Sequence, residues 1–208
     1  MIFNSYQYLW PPRPVNPIPD ILLKYYEDKG WIAQYKKNGT CTVLYVNPAK
    51  EIIAKTRHKT NHKAWSPSQE FSDQFKNLPG DGWYVFTGEL LHSKTPNIKD
   101  TIYLFDLLVD DSEYLVGYTL KERIARLHSL FPKRARAINN GHYVADSKLW
   151  IANSIKSNFN KVYKSLSLAE DEGLVLKDPH ARLHLCINEH ANEAWQIKCR
   201  KPTKNYSF

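Results

Sequence analysis

The chain has 208 residues, 42% of them hydrophobic and 24% charged, and its 29 Lys+Arg against 21 Asp+Glu leave a formal charge of +8. That is enough apolar material for one globular core, and no apolar run approaches the roughly 20 residues of a membrane-spanning helix. No basic-then-apolar leader opens the sequence, and Cys41, Cys186 and Cys199 are too scattered for a disulfide framework or a zinc site, so a membrane or secreted protein is not expected and a reducing cytoplasm is.

Residues 1–30 are set apart by Pro11, Pro12, Pro14, Pro17 and Pro19, which predict an extended arm packed on the domain that fills 31–208. Tyr6, Tyr8 and Trp10 are the side chains expected to pin it there. From residue 31 onward, segments 31–35, 40–46, 51–56, 83–91, 102–109, 173–177 and 194–199 combine β-branched and aromatic residues between turn signals and read as strands of largely antiparallel sheets. A short helix is expected over 68–77, ahead of a Gly-rich turn. Thr119 and Glu122 form a capping box, after which Leu120, Ile124, Leu127 and Phe131 keep one apolar face until Pro132 ends the helix. Ile155, Phe159, Val162 and Leu166 predict a further helix by the same periodicity. No internal repeat is present, and the pattern is that of an α+β fold with helices flanking antiparallel sheets.

A basic balance with 13% aromatic residues points to a polyanionic partner, nucleic acid foremost. The chemistry begins at Lys36-Lys37-Asn38-Gly39, between two predicted strands, a stretch that by itself is an ordinary hairpin turn with solvated lysines. It is followed, in order, by Thr56-Arg57, Thr87-Gly88-Glu89-Leu90, Leu104-Phe105-Asp106, the stretch from Glu172 to Lys177, and Ile197-Lys198-Cys199-Arg200. In this ordered set the sequence resembles the covalent nucleotidyltransferases, which comprise ATP-dependent DNA ligases, RNA ligases and mRNA capping enzymes, over residues 31–201. The lead-in from Tyr8 to Pro14 is similar to that of some phage-type ATP-dependent ligases.

The resemblance implies an adenylation domain in which Lys36, three residues before Gly39, is the nucleophile that takes AMP from ATP, while Lys37 falls at the variable position. A lysine of pKa near 10.4 is neutral only about once in 2,500 molecules at pH 7, so such chemistry calls for neighbouring cations or burial, with Lys198 and Arg200 as candidates. The same resemblance places Gln34, Arg57, Glu89, Phe105, Lys198 and Arg200 around the nucleotide, with Phe105 stacking on the purine, and makes Glu89 and Glu172 the carboxylates for Mg²⁺. Three positions depart from the family pattern: Gln34 where a glutamate is common, Thr87 where an aspartate usually begins the third motif, and Cys41 where DNA ligases often have arginine.

The activity so implied is that of an ATP-dependent polynucleotide ligase sealing 5′-phosphate/3′-hydroxyl breaks. DNA nicks are the first expectation, because residues 104–130 are similar to the DNA ligase pattern. An RNA ligase, or a ligase of RNA-containing duplexes, is the alternative. A capping guanylyltransferase and a non-catalytic nucleic-acid-binding module stand behind it. Eight residues follow Arg200, too few for the OB-fold domain usual in the family. Lys59, Lys63, Lys201 and Lys204 are therefore expected to grip nucleic acid in its place, in a monomer of the cytoplasm, that of a phage-infected cell included.

Overall fold

The computed structural model describes residues 10–14, 17–95, 97–132, 141–167, 169–185 and 192–202. The proline-rich start forms β1 (Arg13–Pro14), but the prolines end at Pro19, and a 3₁₀ turn over Asp20–Leu22 then leads into α1 (Leu23–Asp28). An arm extended to residue 30 is thus corrected. Proline immediately ahead of a helix removes no intrahelical donor, and Leu23 contributes a fully buried side chain that holds the helix down. Trp10 packs against the main core, while Tyr6 and Tyr8 lie outside the described residues.

The remaining elements are β2 (Ile32–Lys37), β3 (Thr40–Val46), β4 (Ile52–Thr56), α2 (Gln69–Asp73), β5 (Tyr84–Leu91), β6 (Thr101–Asp110), β7 (Glu113–Tyr114), α3 (Leu120–Leu130), β8 (His142–Asp146), β9 (Leu149–Ala152), α4 (Phe159–Ser165), β10 (Asp171–Lys177), β11 (Asn192–Glu193) and β12 (Gln196–Arg200). A large sheet runs in the order β4-β3-β5-β6-β9-β8, with β7 on β6, and a three-stranded sheet runs β12-β10-β2. The pairing is antiparallel throughout both sheets except for the parallel contact of β6 with β9. The architecture is α+β. No helix among the described residues is long and apolar enough to cross a membrane.

The hairpin expected at Lys36-Lys37-Asn38-Gly39 is not one. β2 pairs with β10, and β3 pairs with β4 and β5, so residues 38–39 are a corner at which the chain passes from the small sheet to the large one. Two cores result. Residues of β3, β5 and β6 pack with Phe71 and Phe75 and with Leu127 and Phe131 from the end of α3. Ala33 and Tyr35 of β2 pack with Leu174, Leu176 and Cys199 against Phe159, Val162 and Tyr163 of α4 and Leu23 of α1. Because strand side chains alternate, burying Ala33 and Tyr35 under α4 turns Gln34 and Lys36 to the other face of the small sheet.

The capping box of α3 forms as expected, with Glu122 N–H donating to Thr119 Oγ1 at 3.3 Å and Thr119 N–H donating to Glu122 Oε2 at 2.7 Å. α4 starts later than its apolar periodicity suggests, because the Ile155 backbone bonds in both directions to Ala33 and Asn158 then takes a left-handed conformation (φ 61°). The Phe159 N–H at its start donates instead to Glu27 of α1, 2.8 Å away.

α3 also buries a charge. The Arg123 guanidinium makes two parallel bonds to Asp106 of β6, Nε to Oδ1 and Nη2 to Oδ2, both 2.9 Å, and a third to the Tyr118 carbonyl at 2.9 Å. Both side chains are nearly inaccessible to water. Removing one partner of such a pair leaves the other's charge buried and uncompensated, at a cost of about 3–5 kcal/mol. Arg123→Met is therefore expected to lower unfolding free energy by about that amount in a denaturant titration, and adding Asp106→Asn to it should recover part of the loss. A single variant within about 1 kcal/mol of the parent would contradict this role of the pair.

Candidate active site

The faces of the two sheets that their helices leave uncovered meet across a cavity of about 670 Å³. Register and alternation decide what lines its floor. Across the small sheet, Lys36 and Arg200 flank Gly173, Gln34 and Lys198 flank Val175, and Ile32 and Gln196 flank Lys177. All of these except Gly173 and Ile32 line the cavity.

The register of β10 against β2 shifts between Asp171 and Gly173, a bulge that inserts one residue. Gly173 has φ 150°, and a Cβ there would lie 2.0 Å from the Cys199 carbonyl oxygen, so only glycine fits. Beside this bulge two adjacent lysines meet two adjacent acids, one pair on each face. Lys36 Nζ is hydrogen-bonded to Glu172 Oε2 on the cavity side, and Arg200 Nη2 lies 3.3 Å from the same oxygen. On the other side the Lys37 ammonium is fully buried 2.8 Å from Asp171 Oδ1, with the rings of Tyr35, Tyr103 and Trp150 at 5.6, 5.9 and 5.6 Å. Lys37 is thus a core cation.

The opposite wall belongs to the large sheet, where Cys41, Glu89 and Tyr103 are cross-strand neighbours and Phe105 lies two residues along β6. Gly39 brings the corner against this wall, since a Cβ would stand 2.5 Å from the Leu90 carbonyl oxygen and 2.7 Å from Glu89 Cγ. Thr95 Oγ1 and Lys94 Nζ hold the corner by donating to the Asn38 and Gly39 carbonyls at 2.5 and 2.9 Å. Arg57 enters from the turn after β4, its backbone N–H donating to the Cys41 carbonyl at 3.2 Å.

Gln34, Lys36, Arg57, Glu89, Phe105, Glu172, Lys198 and Arg200 therefore share one cavity, and Lys63 lines it too. Lys59 does not; it occupies a left-handed turn position (φ 62°) beside it. Lys201 is engaged elsewhere, its ammonium donating to the Leu166 carbonyl at 2.9 Å at the end of α4. Lys204 lies outside the described residues.

Three cations were not singled out from the sequence. Lys94 and Arg13 line the cavity, and Lys177, 2% exposed, stands 4.7 Å from the Phe105 ring centroid with no hydrogen-bond partner among the described residues. The signal for Lys177 was in the pattern, since it follows Val175 by the two residues that put strand side chains on one face.

The electrostatics follow from burial among like charges. Burial pushes the Lys177 ammonium down to about 8, against the opposing pull of Asp106. Burial, then Arg200, Lys36, Arg13 and Arg57, hold Lys198 below the usual lysine range. Burial pushes Glu89 up to about 7, with Lys36 pulling it back and Glu172 pushing it further. The same cause raises Cys41 to about 12, so it is a thiol and not a nucleophilic thiolate at neutral pH. Gln34 is 2% exposed, and neither its amide nitrogen nor its oxygen has a partner among the described residues. An amide left so in a cavity wall is a ready donor and acceptor for a ligand edge.

Glu89 has a pH signature. Between its ordinary value of 4.5 and about 7, the folded chain keeps a proton there that the unfolded chain has released, so stability from this group is present below the window and lost as the pH rises through it. Glu89→Gln is expected to flatten the fall in melting temperature across that range. A parallel pH profile for parent and variant would refute the assignment.

The sequence matches no protein-family model and no curated protein. The fold does match solved structures. A mycobacterial DNA ligase D complexed with ATP superposes with a TM-score of 0.67 at 14% identity over 94% of this chain and 61% of that one. A Lig E DNA ligase gives 0.52 at 15% identity over 83% and 62%, and the ATP-dependent DNA ligase of bacteriophage T7, in complex with ATP, gives 0.53 at 14% identity over 92% and 68%. The chain thus spans about three fifths of the length of the first two. Over nearly all of its own length, this chain shares the fold of these DNA ligases.

Proposed function

We propose that this chain is the adenylyltransferase domain of an ATP-dependent polynucleotide ligase that seals 5′-phosphate/3′-hydroxyl breaks in DNA through a lysyl-AMP intermediate. The observation that carries the reading is the position of Lys36, whose amine faces a cleft walled by Arg57, Lys198 and Arg200 and is bonded to Glu172. The three neighbours described above are DNA ligases, two of them in complex with ATP, which supports the nucleotide and the substrate class.

In the first step Lys36 Nζ attacks the α-phosphorus. An N–P bond forms, the P–O bond to the β-phosphate breaks, and pyrophosphate leaves with the electron pair, while the amine proton passes to Glu172 or water. Phe105 and Lys177 would meet the purine from one side, and the Gln34 amide would bond its edge. Lys198, Arg200 and Arg57 would offset phosphate charge in place of water. In the second step the AMP moves to a 5′-phosphate, and in the third a 3′-hydroxyl displaces it.

Among the described residues no group of three or more His, Cys, Asp or Glu side chains is arranged to cage a metal. Glu89 and Glu172 face one another's charge in the cleft, and two carboxylates suit Mg²⁺, which keeps several waters and leans on substrate phosphates. They are the residues that would hold it, and the ion would supply charge neutralisation at the phosphates.

Incubation with labelled ATP and Mg²⁺ is expected to give a covalent, acid-labile AMP adduct. Lys36→Ala should abolish it, and Lys37→Met, though less stable for want of the partner of Asp171, should keep it at permissive temperature. An adduct in the Lys36 variant would overturn the assignment, and labelling by GTP alone would favour guanylyl transfer. For the later steps, nick binding by adenylated protein should weaken steeply with salt, and Lys59→Ala/Lys63→Ala should reduce the slope of log K on log salt by about one for each phosphate no longer neutralised. An unchanged slope would remove these lysines from the nucleic-acid surface.

A further inference from the structure

The N-terminal arm crosses the cleft. Trp10 packs against the core of the large sheet, and eight residues later Ile18 packs against the core of the small one. Between them, Arg13 and Pro14 pair in parallel with Asn192 and Glu193, Pro17 bridges to Lys198, and the Ile18 N–H donates to the Lys198 carbonyl at 3.0 Å. Residues 11–14 consequently lie in the wall of the cavity, strapped over its edge. Prolines at 11, 12 and 14 stiffen that strap, so the side chain of Arg13 is presented at little further entropic cost.

Arg13 has no acidic partner among the described residues. Its charge is felt at Lys198 on one wall and at Cys41 on the other, the two places where Lys36 and Arg57 are felt as well. The arm that carries Arg13 is thus tied through Pro17 and Ile18 to Lys198, a cation of the cleft floor. Around it the lining cations outnumber the two lining carboxylates, Glu89 and Glu172, a surplus that a mononucleotide's single phosphate would leave largely uncompensated.

We infer that Arg13, carried across the cleft by the N-terminal arm, binds the β- and γ-phosphates of the nucleotide and steadies the departing pyrophosphate. A guanidinium is the side chain suited to this, since its planar fork grips two phosphate oxygens at once and stays charged. The inference rests on the adenylylation reading of the same site, and the test keeps the two apart.

The full chain, its Arg13→Gln variant and its Arg13→Lys variant would be compared in thermal melting with inorganic tripolyphosphate, with AMP and without ligand, and in the ATP dependence of adduct formation. Tripolyphosphate is expected to raise the melting temperature of the parent, to do so in part for Arg13→Lys and not for Arg13→Gln, while AMP acts equally on all three. The ATP concentration for half-maximal adduct formation should rise about tenfold or more in Arg13→Gln, as befits the removal of a charge-assisted bond. Equal responses of parent and Arg13→Gln to tripolyphosphate, or none in the parent, would overturn the inference, as would weaker nick binding by Arg13→Gln with unaltered ATP dependence. A parent that responds to tripolyphosphate through Arg13 yet forms no adduct with any nucleotide would instead defeat the adenylylation reading and leave the phosphate site standing.

Discussion

The bulge at Gly173 is the feature on which the site depends. In an antiparallel pair, directly opposite residues share a face and successive residues alternate, so Lys37 and Asp171 stand together on the core face and Lys36 turns to the cleft. Beyond that pair one extra residue, Glu172, is inserted ahead of Gly173, so Lys36 stands opposite the glycine and bonds to Glu172 toward the cleft while Lys37 keeps Asp171 toward the core. The buried pair anchors the strands beneath the exposed one. The ring cage of Tyr35, Tyr103 and Trp150 then ties β2 to the large sheet as well, although the two share no ladder hydrogen bonds.

Charge is distributed unevenly for a reason. The core accepts Lys37 and Arg123 because each has a carboxylate within bonding distance. Among the described residues the cleft holds Lys177 and Lys198 without one, and both are depressed as ammonium acids by burial and neighbouring cations. Buried charge of this kind, left without a bonded carboxylate in a cleft, is concentrated at binding and catalytic sites.

Much of this was legible in the sequence. The strands on either side of the corner, the third strand of the ladder at β5, and α3 with its capping box are locally overdetermined, and their bounds fall within a residue or two of expectation. β8 and β9 were not, because residues such as His142, Asp146 and Trp150 make neither a clean alternation nor an apolar run; their pairing is settled by tertiary contacts, among them the stacking of His142 on Trp150 at 4.3 Å. The cleft residues were readable as an ordered set of short motifs. What spacing alone could not convey was that β2 and β3 enter different sheets, since a turn sequence is the same whether its flanking strands pair or part. Arg13 was hidden for a related reason: a proline-rich segment declares its stiffness and says nothing of where it is laid.

The corner at Asn38-Gly39 has a consequence for how this chain can change over evolutionary time. The path from Lys36 to Gly39 is a ruler between two layers, with its zero at the bulge and its far mark where Gly39 meets Leu90 and Glu89. Lys36, Lys37 and Gly39 are each held by a specific contact, to Glu172, to Asp171 and to Leu90. Its length is constrained as well. One residue inserted or deleted between Ala33 and Lys36 would shift the rest of the strand by half its period, send the cleft-facing amine beneath α4 and bring the caged ammonium into the open, so that the reading frame of the strand is what descent must preserve.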